Sequence, residues 1–84
     1  MFYLYILQSL KDNGYYIGIT KDTEKRLIEH NKGKTKSTKN RIPFVLKYKE
    51  EYNNKTEARR REIKLKKNYH LRKELLNSIG FNLK

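Results

Sequence analysis

This sequence of 84 residues predicts an α+β fold, a small three-stranded antiparallel sheet flanked by about three helices. Three observations lead there. Two runs rich in aromatic and β-branched residues, Phe2–Gln8 and Tyr15–Thr20, flank Asn13-Gly14, a strong hairpin signal. A third such run follows Pro43. Between and after the runs lie segments with helix-capping residues and apolar side chains three or four apart.

The first strand alternates, with Phe2, Leu4 and Ile6 on one face and Tyr3, Tyr5 and Leu7 on the other. The second turns Tyr15, Ile17 and Ile19 toward a core and sets Tyr16, Gly18 and Thr20 opposite, where a phenol stands beside the gap left by glycine. A tight two-residue turn at Asn13-Gly14 would put Tyr16 against Lys11 and leave Tyr5 distant. A looser loop over Ser9 to Gly14 brings Tyr5 and Tyr16 together on one face. The looser loop is favoured, because Lys11-Asp12-Asn13 is poor strand material.

Asp22 is a natural N-cap for a helix that runs through Asn31 and stops at Gly33. On it Arg26 and His30 lie one turn apart on a shared face, with Leu27 turned inward. Lys32 to Arg41 reads as a basic loop, either solvated or in contact with phosphates. The third strand, Phe44 to Glu51, is expected to put Phe44, Leu46 and Tyr48 on one face. Asn54 caps the next helix, whose inward stripe reads Ala58, Glu62, Leu65 and Tyr69. After Asn68 a last helix carries Leu71, Leu75, Leu76 and Ile79 and ends near Gly80. No linker or repeat divides the chain, so residues 1–84 are expected to form a single domain.

Charge narrows the function. Lys and Arg number 21 against 9 Asp and Glu, a net charge of +12. Residues 1–42 hold nine basic and four acidic side chains, and residues 43–84 hold twelve and five, so the excess is no detachable tail. Such a field favours a polyanionic partner, nucleic acid first. A membrane surface fits less well, because no stretch is both basic and rich in large apolar residues along one face. With no cysteine, disulfides and thiolate metal sites are excluded. The apolar stretch Met1 to Leu7 is too short to span a bilayer and lacks a basic leader, so a cytoplasmic protein is expected.

Set together, the unusual residues are Tyr5 and Tyr16 on one sheet face, Arg26 and His30 on one helix face, and Glu62, an acid on an apolar stripe among Arg59, Arg60, Arg61, Lys64, Lys66 and Lys67. Phosphodiester cleavage asks for this inventory: a group to activate water, a cation to offset charge on the phosphate, and a carboxylate for a divalent metal. Mg²⁺ takes only one or two carboxylates and keeps several waters, so one glutamate suffices. Each residue also has a plainer reading: the tyrosines as packing groups, Arg26 and His30 as an ordinary basic face, Glu62 as the partner of Lys66 or Arg59.

The order and spacing of these residues resemble the GIY-YIG endonuclease superfamily. Tyr3-Leu4-Tyr5 looks like the first motif with its glycine replaced, and Tyr16-Ile17-Gly18 is the second motif as it stands. Arg26-Leu27, His30, Pro43 and Ala58-Arg59-Arg60-Arg61-Glu62-Ile63-Lys64 continue the likeness to small stand-alone bacterial members, which are related to the excinuclease nuclease domain. The resemblance runs from about Phe2 to Leu76.

The resemblance implies a metal-dependent endonuclease acting on DNA, using Mg²⁺ or Mn²⁺. Residue by residue, Tyr5 and Tyr16 match the motif tyrosines, Arg26 the essential arginine, His30 a position held by histidine or tyrosine, and Glu62 the metal ligand. Glu62 would hold the ion, Arg26 would steady the phosphate, and a tyrosine with His30 assisting would activate water; which tyrosine is the base stays open. Where the excinuclease domain carries a lysine after the second motif, this chain has Ile19. Asn68 and Asn77 match a late asparagine of some relatives by type only. The other reading is a non-catalytic nucleic-acid-binding module on the same fold, stacking bases on Tyr3, Tyr5 and Tyr16. Neither reading requires a protein partner, and a monomer is expected.

Overall fold

The computed structural model describes residues 1–81, so residues 82–84 of the expected domain lie outside the described residues. Three strands, β1 (Phe2–Ser9), β2 (Tyr15–Thr20) and β3 (Phe44–Tyr52), form one antiparallel sheet in the order β2-β1-β3. Three helices flank it: α1 (Thr23–Asn31), α2 (Lys55–Lys67) and α3 (Tyr69–Ser78). A single turn of 3₁₀ helix covers Lys39–Arg41. The α+β architecture expected from the sequence is the one observed.

β1 is central, and both its faces are covered, which is why its apolar run is nearly continuous. On one face Leu4, Ile6 and Ile17 pack against Leu65 of α2, Leu76 of α3 and Phe81. On the other Tyr5, Leu7 and Phe44 form a second cluster, joined by Tyr16, Leu27 of α1, Ile42 and Leu46. The molecule is therefore α1, sheet, then α2 with α3.

The turn between β1 and β2 is the looser one. Gln8 pairs with Tyr15, Ser9 N–H donates to Gly14 O, and Asn13 takes a left-handed φ of 61°. Ser9 Oγ accepts from the N–H groups of Lys11 and Asp12 and donates to Arg41 O at 2.6 Å, so one buried hydroxyl ties the turn to a distant loop.

Caps fall where the sequence puts them. Asp22 accepts from Lys25 N–H, Asn54 from Glu57 N–H, and Asn68 from Leu71 N–H. α1 closes through Gly33 at φ 76°, with Gly33 N–H on His30 O and Lys34 N–H on Glu29 O, a Schellman pair of bonds.

Two expectations are corrected. Leu46 and Tyr48 do not share a face: Leu46 pairs with Leu7 and Tyr48 with Ile6, so a bulge at Lys47 switches the strand's two halves between layers. Tyr69 is not on the inward stripe of α2 but opens α3 and is 57% exposed. Asn68 causes this, since its extended backbone ends α2 and resets the helical phase.

The basic segment after α1 is not simply a solvated loop. Thr38 is fully buried, and Arg41 forks onto Asp12 at 2.7 and 3.2 Å while also donating to Tyr15 O. Asn31, the last residue of α1, grips both backbone groups of Phe44: its carbonyl accepts from Phe44 N–H at 2.7 Å and its amide donates to Phe44 O at 3.0 Å. These two bonds lock α1 to the start of β3.

Candidate active site

Tyr5 stands at the middle of β1, opposite Gly18 of β2, while Tyr16 stands opposite Leu7. The two tyrosines are thus diagonal neighbours on one face, with ring centroids 6.3 Å apart. Gly18 is what allows this. The Tyr5 ring lies over it, and any β-carbon there would meet Tyr5 Oη at 2.6 Å. The glycine serves by having no side chain, not by an unusual backbone angle.

α1 crosses this face and delivers His30 beneath Tyr5. His30 has no solvent exposure; its Nε2 is 3.0 Å from Tyr5 Oη and its Nδ1 is 2.9 Å from Thr38 Oγ1. The rings of Tyr16, Tyr5 and Phe44 enclose it at centroid distances of 5.0, 6.1 and 5.9 Å. Burial pushes the imidazole down to about 4, and the nearby Arg26 charge adds to this, so His30 is neutral at physiological pH.

Arg26, one turn earlier, reaches the site entrance, where its Nη1 contacts Glu29 Oε1 at 3.2 Å. Its guanidinium also acts on the Tyr5 hydroxyl. Burial pushes that phenol up to about 12, with Arg26 pulling downward and the Tyr16 and Glu62 groups adding to the rise. Lys21 and Lys25 line a cleft of about 300 Å³ with Arg26, Glu29, Thr20 and Asp22. Three cations and two carboxylates line this cleft.

Glu62 comes from α2, and its charge is felt at Tyr5. It is 7% exposed and carries two ion pairs, Arg59 Nη1 to Oε1 at 2.9 Å and Lys66 Nζ to Oε2 at 3.1 Å. Both plain partners read from the sequence are therefore present. The cations are 52% and 53% exposed, so releasing them costs little.

Glu50 is the contrast. Its oxygens already accept from Tyr48 Oη, Tyr52 Oη and both arms of the Arg61 fork, a saturated structural network. No group of three or more His, Cys, Asp or Glu gathers among the described residues. Glu62 is a lone carboxylate whose two ion-pair partners are half exposed. That donor set fits a hard divalent cation that keeps most of its waters, and does not fit a zinc-like cage.

Tyr5, Tyr16, Arg26 and His30 are brought into direct neighbourhood, with Glu62 within electrostatic reach. Asn68 is used as a helix cap. Thr38 joins the site without having stood out in the sequence, where its only signal is a hydroxyl in a run of lysines. Among the described residues no helix is long and apolar enough to cross a membrane.

Comparison with known proteins gives the family. Residues 1–75 match the family model described as the GIY-YIG catalytic domain. A UPF0213 protein of Staphylococcus haemolyticus is 48% identical over 65 residues, covering 76% of this chain and 78% of that protein. A UPF0213 protein of Halobacterium salinarum is 38% identical over 77 residues, covering 90% and 99%. The solution NMR structure of a UPF0213 protein from Bacillus halodurans superposes with a TM-score of 0.55 at 37% identity, over 98% of this chain and 88% of that one. The paired tyrosines across Gly18 and the matched span agree: the chain belongs to the GIY-YIG family.

Proposed function

We propose that this protein is a divalent-metal-dependent endonuclease that hydrolyses DNA phosphodiester bonds, working as a monomer in the cytoplasm. The observation that carries this reading is the meeting of unlike groups at one hydroxyl. Tyr5 Oη has the His30 ring behind it and the Tyr16 ring beside it, with the Arg26 and Glu62 charges both acting on it. A module that only bound nucleic acid would gain nothing from a nearly buried carboxylate in a basic field.

In this reading Glu62 would hold Mg²⁺ or Mn²⁺, which would supply Lewis-acid stabilisation of the leaving oxygen. Arg26 offsets charge on the scissile phosphate, exchanging its contact with Glu29 for a phosphate oxygen. Tyr5 and Tyr16 hold the attacking water, Tyr5 as the inner hydroxyl and Tyr16 as the partly buried outer one. With its phenol pushed up to about 12, Tyr5 is neutral at rest and serves water as a hydrogen-bond acceptor, not as a standing phenolate. His30, without solvent exposure, assists through the Tyr5 proton and not by touching substrate. The +12 charge grips the backbone, so little sequence preference is expected.

The test is cleavage of labelled single-stranded and duplex DNA with Mg²⁺, Mn²⁺ or chelator, comparing wild type with Glu62→Gln. Metal-dependent cutting should fall about 100-fold or more in the variant. DNA binding should persist. Inactivity of both proteins with DNA still bound would replace the nuclease reading by the binding module.

A further inference from the structure

Behind the tyrosine pair runs a buried chain of polar atoms that continues past His30. Tyr5 Oη is 3.0 Å from His30 Nε2, His30 Nδ1 is 2.9 Å from Thr38 Oγ1, and Thr38 Oγ1 is 3.4 Å from Thr35 O. Tyr5, His30 and Thr38 are at most 2% exposed, so water does not complete these contacts from outside. Tyr5, His30 and Thr38 can each donate or accept. Thr35 O is a carbonyl and only accepts, and it also takes the Thr38 and Lys39 N–H groups at 3.1 and 3.0 Å.

The imidazole lies between unequal hydroxyls: the Tyr5 phenol is the more acidic and so the better donor, and the aliphatic Thr38 hydroxyl is the better acceptor. Tyr5 O–H therefore donates to His30 Nε2, His30 Nδ1–H donates to Thr38 Oγ1, and Thr38 O–H is left to point at Thr35 O. The opposite filling would make the weaker donor, the Thr38 hydroxyl, supply the imidazole and the weaker acceptor, the Tyr5 phenol, receive from it.

We propose that Thr38 is a positioning residue: its hydroxyl fixes His30 in the Nδ1–H tautomer and so turns the Tyr5 hydroxyl proton inward, away from the substrate side. The consequence is chemical. Tyr5 then presents oxygen lone pairs, and not a proton, to whatever enters the site, as a group that must accept a hydrogen bond from water requires. Thr38 reaches this role from outside both motifs, because the turn Lys39–Arg41 folds its loop down over α1. Only the use of Tyr5 rests on the nuclease reading; the tautomer itself does not.

Two measurements on the full chain test it. Long-range ¹H–¹⁵N correlation on ¹⁵N-histidine protein reads the tautomer without substrate, with the exposed second histidine, His70, as the internal reference. Wild type and Thr38→Ser should show His30 protonated at Nδ1 and bare at Nε2, and Thr38→Val should lose that state. In DNA cleavage Thr38→Val should lower kcat about 10- to 100-fold with KM little changed, and Thr38→Ser should restore it. A wild-type His30 protonated at Nε2 overturns the assignment, whether or not any variant folds. So does a Thr38→Val protein that keeps the Nδ1–H state, or one that loses it at full kcat. A wild type that cleaves nothing sinks the nuclease reading alone, and the tautomer spectrum still decides the role of Thr38.

Discussion

The Tyr5 ring lies across Gly18, so close that a β-carbon on the glycine would stand 2.6 Å from Oη and 2.8 Å from Cζ. Gly18→Ala must therefore move the ring off His30. The expected cost is about 1–3 kcal/mol of stability from overpacking. A shift of about 1 Å at Tyr5 should lower cleavage about 100-fold. Urea unfolding and a cleavage assay check the two effects, and a fully active Gly18→Ala protein would show that the ring position is not needed.

His30 predicts how stability follows pH. Its folded-state value is pushed down to about 4 by burial and by the Arg26 charge, below the value of about 6.5 expected unfolded. Below about pH 6.5 the unfolded chain takes up a proton that the folded chain refuses. The stabilisation is complete above that pH and is lost as pH falls toward 4. Between pH 7.5 and 5 this group should remove about 2 kcal/mol from the unfolding free energy. Denaturation midpoints at the two pH values should show the drop in wild type and a smaller one in His30→Gln.

Asn31 holds Phe44 by two hydrogen bonds, one to each backbone group. Asn31→Ala leaves both groups without this partner at a partly buried position and should cost about 1–3 kcal/mol. Because Phe44 also packs on His30, the variant should lose cleavage along with stability. Chemical denaturation measures the first; an unchanged midpoint would mean that α1 is anchored elsewhere.

Affinity for DNA should fall steeply with salt. Each phosphate neutralised contributes about −0.9 to the slope of log affinity against log salt on duplex and about −0.7 on single strands. Lys64 and Lys67 are exposed on α2, and replacing either by Ala should reduce the slope by about one if it contacts a phosphate. A flat salt dependence would count against backbone-driven binding.

What sequence alone determines here is local. Alternation marks the three strands, Asp22, Asn54 and Asn68 start helices by capping their own first turns, and Gly33 ends one by accepting a left-handed φ. Such signals act within a few residues, so they survive without knowledge of the fold. The motif tyrosines and Gly18 are legible for the same reason, since the poor strand character of Lys11-Asp12-Asn13 picks the looser loop and with it the hairpin register.

The rest depends on partners distant along the chain. The bulge at Lys47 arises from how β3 meets a central strand covered on both faces, and it parts Leu46 from Tyr48. Whether the helix face bearing Arg26 and His30 looks to solvent or to the core cannot be read from spacing. The tertiary structure divides it, with His30 sealed beneath Tyr5 and Arg26 left at the entrance. Thr38 is illegible among its lysines, because a hydroxyl has meaning only through the group it faces. That group lies eight residues away, on a helix the chain must first fold back upon.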